Sequence, residues 1–227
     1  MVSILEKKVA PVITTNLRGH LVEVPEVIRR ASGIIILGKR IKSLIFSTDV
    51  AVIKNTNADA VMSVYPFTPQ PIITQSLINA SDVPVFCGVG GGTTTGKRVI
   101  NLALDAEFKG AIGVVLNSPT KNDILRGVRD TIDIPIVITV ISELDDFKGR
   151  IDAGATIFNV SGAKDTAKIV RKIREIYPDL PIIATGGPTD ESILETIEAG
   201  ANAITYTPPS NTEIMKELMD KYRGQNY

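Results

Sequence analysis

Two short signatures alternate strictly along the chain, and together they leave few folds open. The first is Asp-x-Pro followed by an apolar run, in DVPVF from Asp82, DIPIV from Asp133 and DLPII from Asp179. The second is Gly-Ala followed by an apolar run, in GAIGVV from Gly110, GATIFNV from Gly154 and GANAITY from Gly200. Proline at the first residue of a strand costs no ladder hydrogen bond, and the aspartate before it supports a turn. Glycine at a helix end supplies the left-handed cap that lets the chain turn into the next strand. The first signature therefore predicts strand entries and the second helix exits. Between them lie segments with helical spacing. In KDTAKIVRKIREIYPD, for example, Ala167, Ile169, Val170, Ile173 and Ile176 form one apolar stripe with charges opposite.

The apolar runs are continuous rather than alternating, which indicates burial on both faces and so a parallel sheet. Extending the period backwards adds ADAVMSVY from Ala58 and SGIIILG from Ser32, giving eight runs that start near 33, 60, 83, 111, 134, 155, 180 and 202. Eight strand-helix units about 25 residues apart suit a closed parallel (β/α)8 TIM barrel better than an open doubly wound sheet. The expected organisation is a single α/β domain over 1–227, with 1–32 as an N-terminal extension or first strand, 33–222 as the barrel and 223–227 as a tail. KVAPVITTN, near the N-terminus, also reads as a strand, either closing the barrel bottom or displacing another run.

Composition narrows the function classes. Lys+Arg and Asp+Glu both number 25, so no global field favours nucleic acid or an anionic membrane, and any pull on an anion must be local. The longest apolar runs, such as IPIVITVI, fall far short of the roughly 20 residues that span a bilayer. The N-terminus has lysines behind a short apolar start and no secretory pattern, which together with the single cysteine, Cys87, gives a cytoplasmic expectation.

VGGGTTTGKRV, residues 89–99, carries most of a nucleotide-binding P-loop in Gly91-x4-Gly96-Lys97. A working P-loop needs Ser or Thr after the lysine to coordinate magnesium, and here that position is Arg98. Two other readings stand beside it: a tight strand-to-helix turn, or a substrate-binding loop at the barrel rim in which Gly91, Gly92, Thr93 and Lys97 hold an anionic group.

The better phosphate signal is PIIATGGPTDES after the seventh run and AITYTPPSNTEI after the eighth, since the loops after strands seven and eight frequently hold phosphate in such barrels. Ser210 and Glu213 form a capping-box pattern that starts a helix and would aim further donors outward. The stretch PIIATGGPTDESILETIEAGANAITY resembles the end of the phosphate-binding (β/α)8 barrels, the superfamily that includes ribulose-phosphate epimerase and thiamin-phosphate synthase. That resemblance implies a phosphate site at Thr185, Gly186, Gly187, Thr205, Tyr206 and Thr207.

Candidate chemical groups lie at the predicted strand ends. Glu143 has no basic neighbour in sequence and leads as a general base; Lys39 and Lys164 could neutralise an anion or form a Schiff base; Cys87 is a nucleophile only with a lowered pKa. Asn117, Ser118, Asn159 and Ser161 are polar interruptions suited to substrate binding. His20, the only histidine, reads as structural or exposed. One histidine and one cysteine do not make a zinc site, so no metal or other cofactor is expected, with magnesium left open.

Three functions follow from these residues. The first is a barrel enzyme, isomerase, epimerase or lyase, acting on a small phosphorylated metabolite. The second is a barrel that senses such a metabolite without turnover, a reading favoured by strands nearly free of acidic residues and histidine. The third is a nucleotide-binding protein using residues 91–98. Neither nucleic acid nor membrane is an expected partner; a homo-oligomer is compatible with the chain.

Overall fold

The computed structural model describes residues 9–13, 15 and 21–225. The IIILGKRI segment folds into an antiparallel hairpin, β1 (Ile34–Ile36) against β2 (Lys39–Ile41). Eight parallel strands then close into a barrel: β3 (Ser43–Phe46), β4 (Ala60–Ser63), β5 (Val85–Gly90), β6 (Gly113–Leu116), β7 (Ile136–Val140), β8 (Ile157–Val160), β9 (Ile182–Thr185) and β10 (Ala203–Tyr206), with β10 pairing β3. Helices α1 (Val50–Lys54), α2 (Pro71–Ala80), α3 (Lys97–Phe108), α4 (Asn122–Arg129), α5 (Phe147–Asp152), α6 (Thr166–Ile176) and α7 (Asp190–Glu198) alternate with the strands, and α8 (Asn211–Gln225) follows the last. The chain is an α/β TIM barrel.

Both signatures do what their chemistry predicts. Pro84, Pro135 and Pro181 stand just before β5, β7 and β9, and their carbonyls accept from Val61, Val114 and Phe158 of the neighbouring strands at 2.9, 2.9 and 3.0 Å. Gly110, Gly154 and Gly200 have φ of 90°, 112° and 112°, the left-handed exits expected of them.

The run near 33 is not the first barrel strand. Leu37 and Gly38, with φ of 47° and 78°, make a two-residue turn that folds the isoleucine run back on itself, and Ile35 is 62% exposed while Ile36 is buried. The first barrel strand is SLIF, immediately after, which carries neither signature. Ile36 and Ile41 pack with the inward residues Leu44, Met62, Phe86, Val115, Val137, Ile157 and Ile183, so the hairpin plugs the N-terminal end of the barrel. The KVAPVITTN segment forms no strand over its described residues, where Val9, Val12 and Ile13 are exposed; residues 8, 14 and 16 lie outside the description, as does His20.

The core has two shells. Inside the barrel, Phe86 is fully buried opposite Gly113, where a Cβ would come within 2.8 Å of its ring. Outside, Ile45, Val61, Val114, Ile138, Phe158 and Ile204 pack under the helices, and Val24 and Ile28 of the segment before the hairpin join them.

Candidate active site

The parallel register fixes which side chains reach the C-terminal mouth. Since Val137, Ile157, Ile183 and Ala203 point inward, the residues two positions on, Thr139, Asn159, Thr185 and Thr205, form the next layer up. Asn159, 8% exposed, donates to Thr139 Oγ1 at 3.4 Å; Thr185 Oγ1 donates to the Val160 carbonyl at 3.2 Å. The floor on this side of the mouth is therefore hydroxyl and amide, with no carboxylate or imidazole.

Three clefts open above it. One, of about 650 Å³, runs between the ends of β8 and β9 and is walled by Ser161, Lys164, Thr185, Gly186, Gly187 and Ser192 among others. A second shares Thr185, Gly187 and Pro188 with it and continues past Thr205, Tyr206 and Thr207 to Glu213 and Glu217 of α8. The third is lined by Tyr65 to Pro69, Gly88, Gly90, Gly92, Thr93, Thr94 and Asn117. Sequence reasoning thus named groups that meet: Ser161 and Lys164 share a wall with Thr185 to Gly187, and Thr205 to Thr207 flank them.

Lys164 follows an unusual backbone turn. Ala163 has φ of 51° without being glycine. The buried Thr166 holds that turn: its hydroxyl donates to the Ala163 carbonyl at 2.8 Å and accepts from the Gly162 N–H at 3.1 Å. On the facing wall, the Gly186 N–H reaches the Thr205 carbonyl at 3.5 Å, and the Gly187 N–H has no partner among the described residues.

The helix starts are more self-contained than the sequence suggested. At α7, Thr189 and Ser192 form a reciprocal capping box. At α8, Ser210 N–H and hydroxyl both donate to Glu213 Oε2 at 2.7 Å, and Glu213 N–H donates back to Ser210 Oγ at 3.2 Å. Of the first-turn donors the Glu213 N–H is engaged within the cap, whereas the Asn211 and Thr212 N–H groups have no partner among the described residues. The Ser210 side chain, then its backbone, holds the Glu213 carboxyl below the ordinary carboxylate range, which keeps negative charge on the second cleft.

Other candidates fall elsewhere. Lys39, expected after the first strand at the mouth, lies on β2 in the hairpin at the opposite end, because that strand assignment was displaced. Cys87 faces the outer shell under the helices, and burial pushes its thiol up to about 12, away from thiolate character. Glu143, chosen for having no basic neighbour in sequence, is ion-paired with Lys168 of α6, a contact made only by the fold. In the glycine-rich loop, Gly90 and Gly91 have φ of 127° and 102°; the Asn117 N–H donates to the Gly90 carbonyl at 3.0 Å and the Gly91 N–H to the Thr94 carbonyl at 2.9 Å. Gly92 and Thr93 reach the third cleft, whereas Lys97 and Arg98 start α3 exposed and outside its walls.

The loop carrying Asn117 and Ser118 is clamped by a residue sequence reasoning missed. Arg150, from α5, donates to the Ser118 carbonyl at 2.7 Å, to Asn122 Oδ1 at 2.9 Å and to the Thr120 carbonyl. Nothing local to FKGRID signals that reach, which spans about 30 residues of sequence.

Among the described residues no group of three or more His, Cys, Asp or Glu is placed to hold a metal ion, and no helix is long and apolar enough to cross a membrane. No family model matches the chain, and no curated protein matches it. Solved structures do. A 2,3-dimethylmalate lyase, a member of the PEP mutase/isocitrate lyase superfamily, superposes with a TM-score of 0.61 at 13% identity, over 88% of this chain and 86% of its own. A phosphonopyruvate hydrolase in complex with oxalate and Mg2+ gives 0.60 at 10%, over 82% and 81%. Thiamine phosphate pyrophosphorylase from Pyrococcus furiosus gives 0.55 at 17%, over 73% and 84%. At these identities the likeness carries the barrel fold, and the chemistry of this chain must be argued from its own mouth.

Proposed function

We propose that the chain, read as one barrel domain over 1–227, is an enzyme that binds a small phosphorylated metabolite at its C-terminal mouth and acts on it as a lyase or isomerase. One observation carries this reading: Lys164, Ser161, Thr185 and Gly187, whose N–H has no partner among the described residues, line a single cleft between β8 and β9. A lysine ammonium is a point charge suited to phosphate, and glycine admits an anion close to the backbone. The neighbouring cleft holds two carboxylates, Glu213 and Glu217, with no cation in its lining, whereas the one carboxylate lining the Lys164 cleft, Glu195, is paired with Arg171. The phosphate therefore belongs on the Lys164 side, with Thr205 to Thr207 as its far flank.

The rest of the ligand would lie over Thr139 and Asn159, whose hydroxyl and amide suit carbonyl, hydroxyl or carboxylate groups. Glu143 stays the proposed general base, but it is paired with Lys168 and outside the lining of the cleft, so it would act only by exchanging that partner for a group of the ligand. Similarity in fold to a lyase and to two proteins named for phosphonate or phosphate chemistry supports the substrate class. Among the described residues no three His, Cys, Asp or Glu gather to cage an ion, so magnesium, left open by the sequence, would arrive with the phosphate of the ligand rather than on a protein site of its own.

The neutral floor favours one second reading, a barrel that binds the same metabolite and signals without turnover. Thermal shift against phosphorylated three- to six-carbon acids and sugars, beside ATP with magnesium, tests binding. Stabilisation by the former and loss with Lys164→Ala supports the site; stabilisation by ATP with magnesium alone overturns it. NMR of the same mixtures then separates enzyme from sensor by the appearance of product.

A further inference from the structure

The mouth layer changes character around the barrel. On β7 to β10 it is hydroxyl and amide, whereas on β3 to β5 the residues two positions beyond the inward Leu44, Met62 and Phe86 are Phe46, Val64 and Gly88. Asn117, two beyond the inward Val115, ends that half. The third cleft, of about 130 Å³, opens above Val64, Gly88 and Asn117. No Lys, Arg, Asp, Glu or His lines it, and it shares no residue with the Lys164 cleft.

Bonds within its own walls shape this cleft. The Tyr65 hydroxyl accepts from the Gln70 N–H at 2.9 Å, which turns the loop after β4, and the buried Thr94 hydroxyl donates to Thr68 Oγ1 at 2.9 Å, which ties that loop to the glycine-rich turn. Gly88 has no positive φ, so its backbone does not demand glycine; a Cβ there would stand 3.2 Å from Val64 Cγ2 and take space from the cleft. The Asn117 backbone is fixed, its N–H donating to the Gly90 carbonyl and its carbonyl accepting from the Thr120 N–H at 3.0 Å and the Thr120 hydroxyl at 2.8 Å. Its side-chain amide has no partner among the described residues, and Nδ2 lies 3.9 Å from where a Gly92 Cβ would be.

These features select a ligand chemistry. A charged group would find no counter-charge in the walls, which makes its burial costly. A flat ring suits them better, since a cavity of roughly 150 Å³ admits benzene, and Tyr65 and the 74% exposed Phe67 offer aromatic faces and edges. A side-chain amide presents a donor beside an acceptor, and it pairs with a group carrying the same two in reverse order. We infer that this cleft binds a neutral planar ring bearing a carboxamide or lactam edge, paired with the Asn117 amide and packed on Tyr65 and Phe67. The inference does not rest on the phosphate reading, because the two clefts have separate walls.

Ligand-observed NMR titration of the full chain with benzamide, benzoate and inorganic phosphate tests it. Benzamide is expected to bind saturably below about 10 mM, and about tenfold more tightly than benzoate, which has the same shape but a charge and no donor. Asn117→Ala is expected to weaken benzamide about tenfold and Phe67→Ala about threefold, both with an unchanged urea midpoint. Lys164→Ala is expected to leave benzamide binding unchanged, which keeps this test apart from that of the phosphate cleft. Absence of saturable binding overturns the inference, as does displacement of benzamide by equimolar benzoate or phosphate. So does benzamide binding that is undiminished in Asn117→Ala or in Phe67→Ala, or that is lost in Lys164→Ala.

Discussion

Gly91 and Thr120 meet so closely that a Cβ on the glycine would overlap the threonine hydroxyl and lie 2.8 Å from the Asn117 backbone nitrogen. With φ of 102° as well, the position admits only glycine. The glycine-rich stretch is thereby accounted for as a turn that docks the end of β5 onto the loop after β6, with no nucleotide required. Gly91→Ala is expected to cost about 2–4 kcal/mol of stability, read from the midpoint of urea unfolding, and Gly92→Ala, where the nearest atom is 3.9 Å away, less than about 1 kcal/mol. Equal costs would contradict this reading of the loop.

How far the sequence reached is visible at two neighbouring strands. β5 through β10 were legible because the proline entries and glycine exits are backbone requirements that any sequence must meet locally. β3 was not, since SLIF carries neither mark, and the longer IIILG run beside it imitates a buried strand until Leu37 and Gly38 reverse it. Lys39 was carried to the wrong end of the barrel by that one displacement. That Lys164 and Gly187 both stand at strand ends was legible in the sequence, but their sharing one cleft was not, and the Glu143–Lys168 pair, the Arg150 clamp and the outward turn of Cys87 likewise depend on side-chain direction and long-range contact, to which a period in the sequence is blind.

The thiol of Cys87 supplies a chemical test of its placement. Buried under the helices and pushed up to about 12, it is expected to resist iodoacetamide at pH 8 in the native protein and to react readily in urea. Because its folded pKa is raised above the ordinary 9.0, the stability it contributes is complete below pH 9 and is lost as pH rises towards 12. Rapid native alkylation at pH 8 would return Cys87 to the list of nucleophiles.

The cap at the start of α8 gives the opposite dependence. Ser210 holds the Glu213 carboxyl below its ordinary value of 4.5, so the cap is fully formed above that pH and is lost as pH falls through the lowered value. Far-UV circular dichroism is expected to report a loss of helix in that acid range that Glu213→Gln abolishes. Ser210→Ala is expected to cost about 1 kcal/mol of helix stability at neutral pH. An acid transition unchanged in Glu213→Gln would assign it to other carboxylates.

The two lysines proposed from sequence now separate. Removing a charge-assisted hydrogen bond of about 1.5–3 kcal/mol weakens binding by roughly 10- to 100-fold. Lys164→Ala is therefore expected to raise the Kd for a phosphorylated ligand by that factor, while Lys39→Ala, at the far end of the barrel, leaves it unchanged. Isothermal titration of both variants with the best ligand of the thermal-shift panel distinguishes them, and a matched loss would point to a fold effect rather than a site.

The most direct test of the central claim is a crystal structure of the protein grown or soaked with a phosphorylated small acid. Phosphate density between Lys164 Nζ and the Gly187 N–H, flanked by Ser161 and Thr185, is the predicted result. Phosphate seated instead at Gly92 to Lys97, or a mouth that stays empty at saturating ligand, would contradict it.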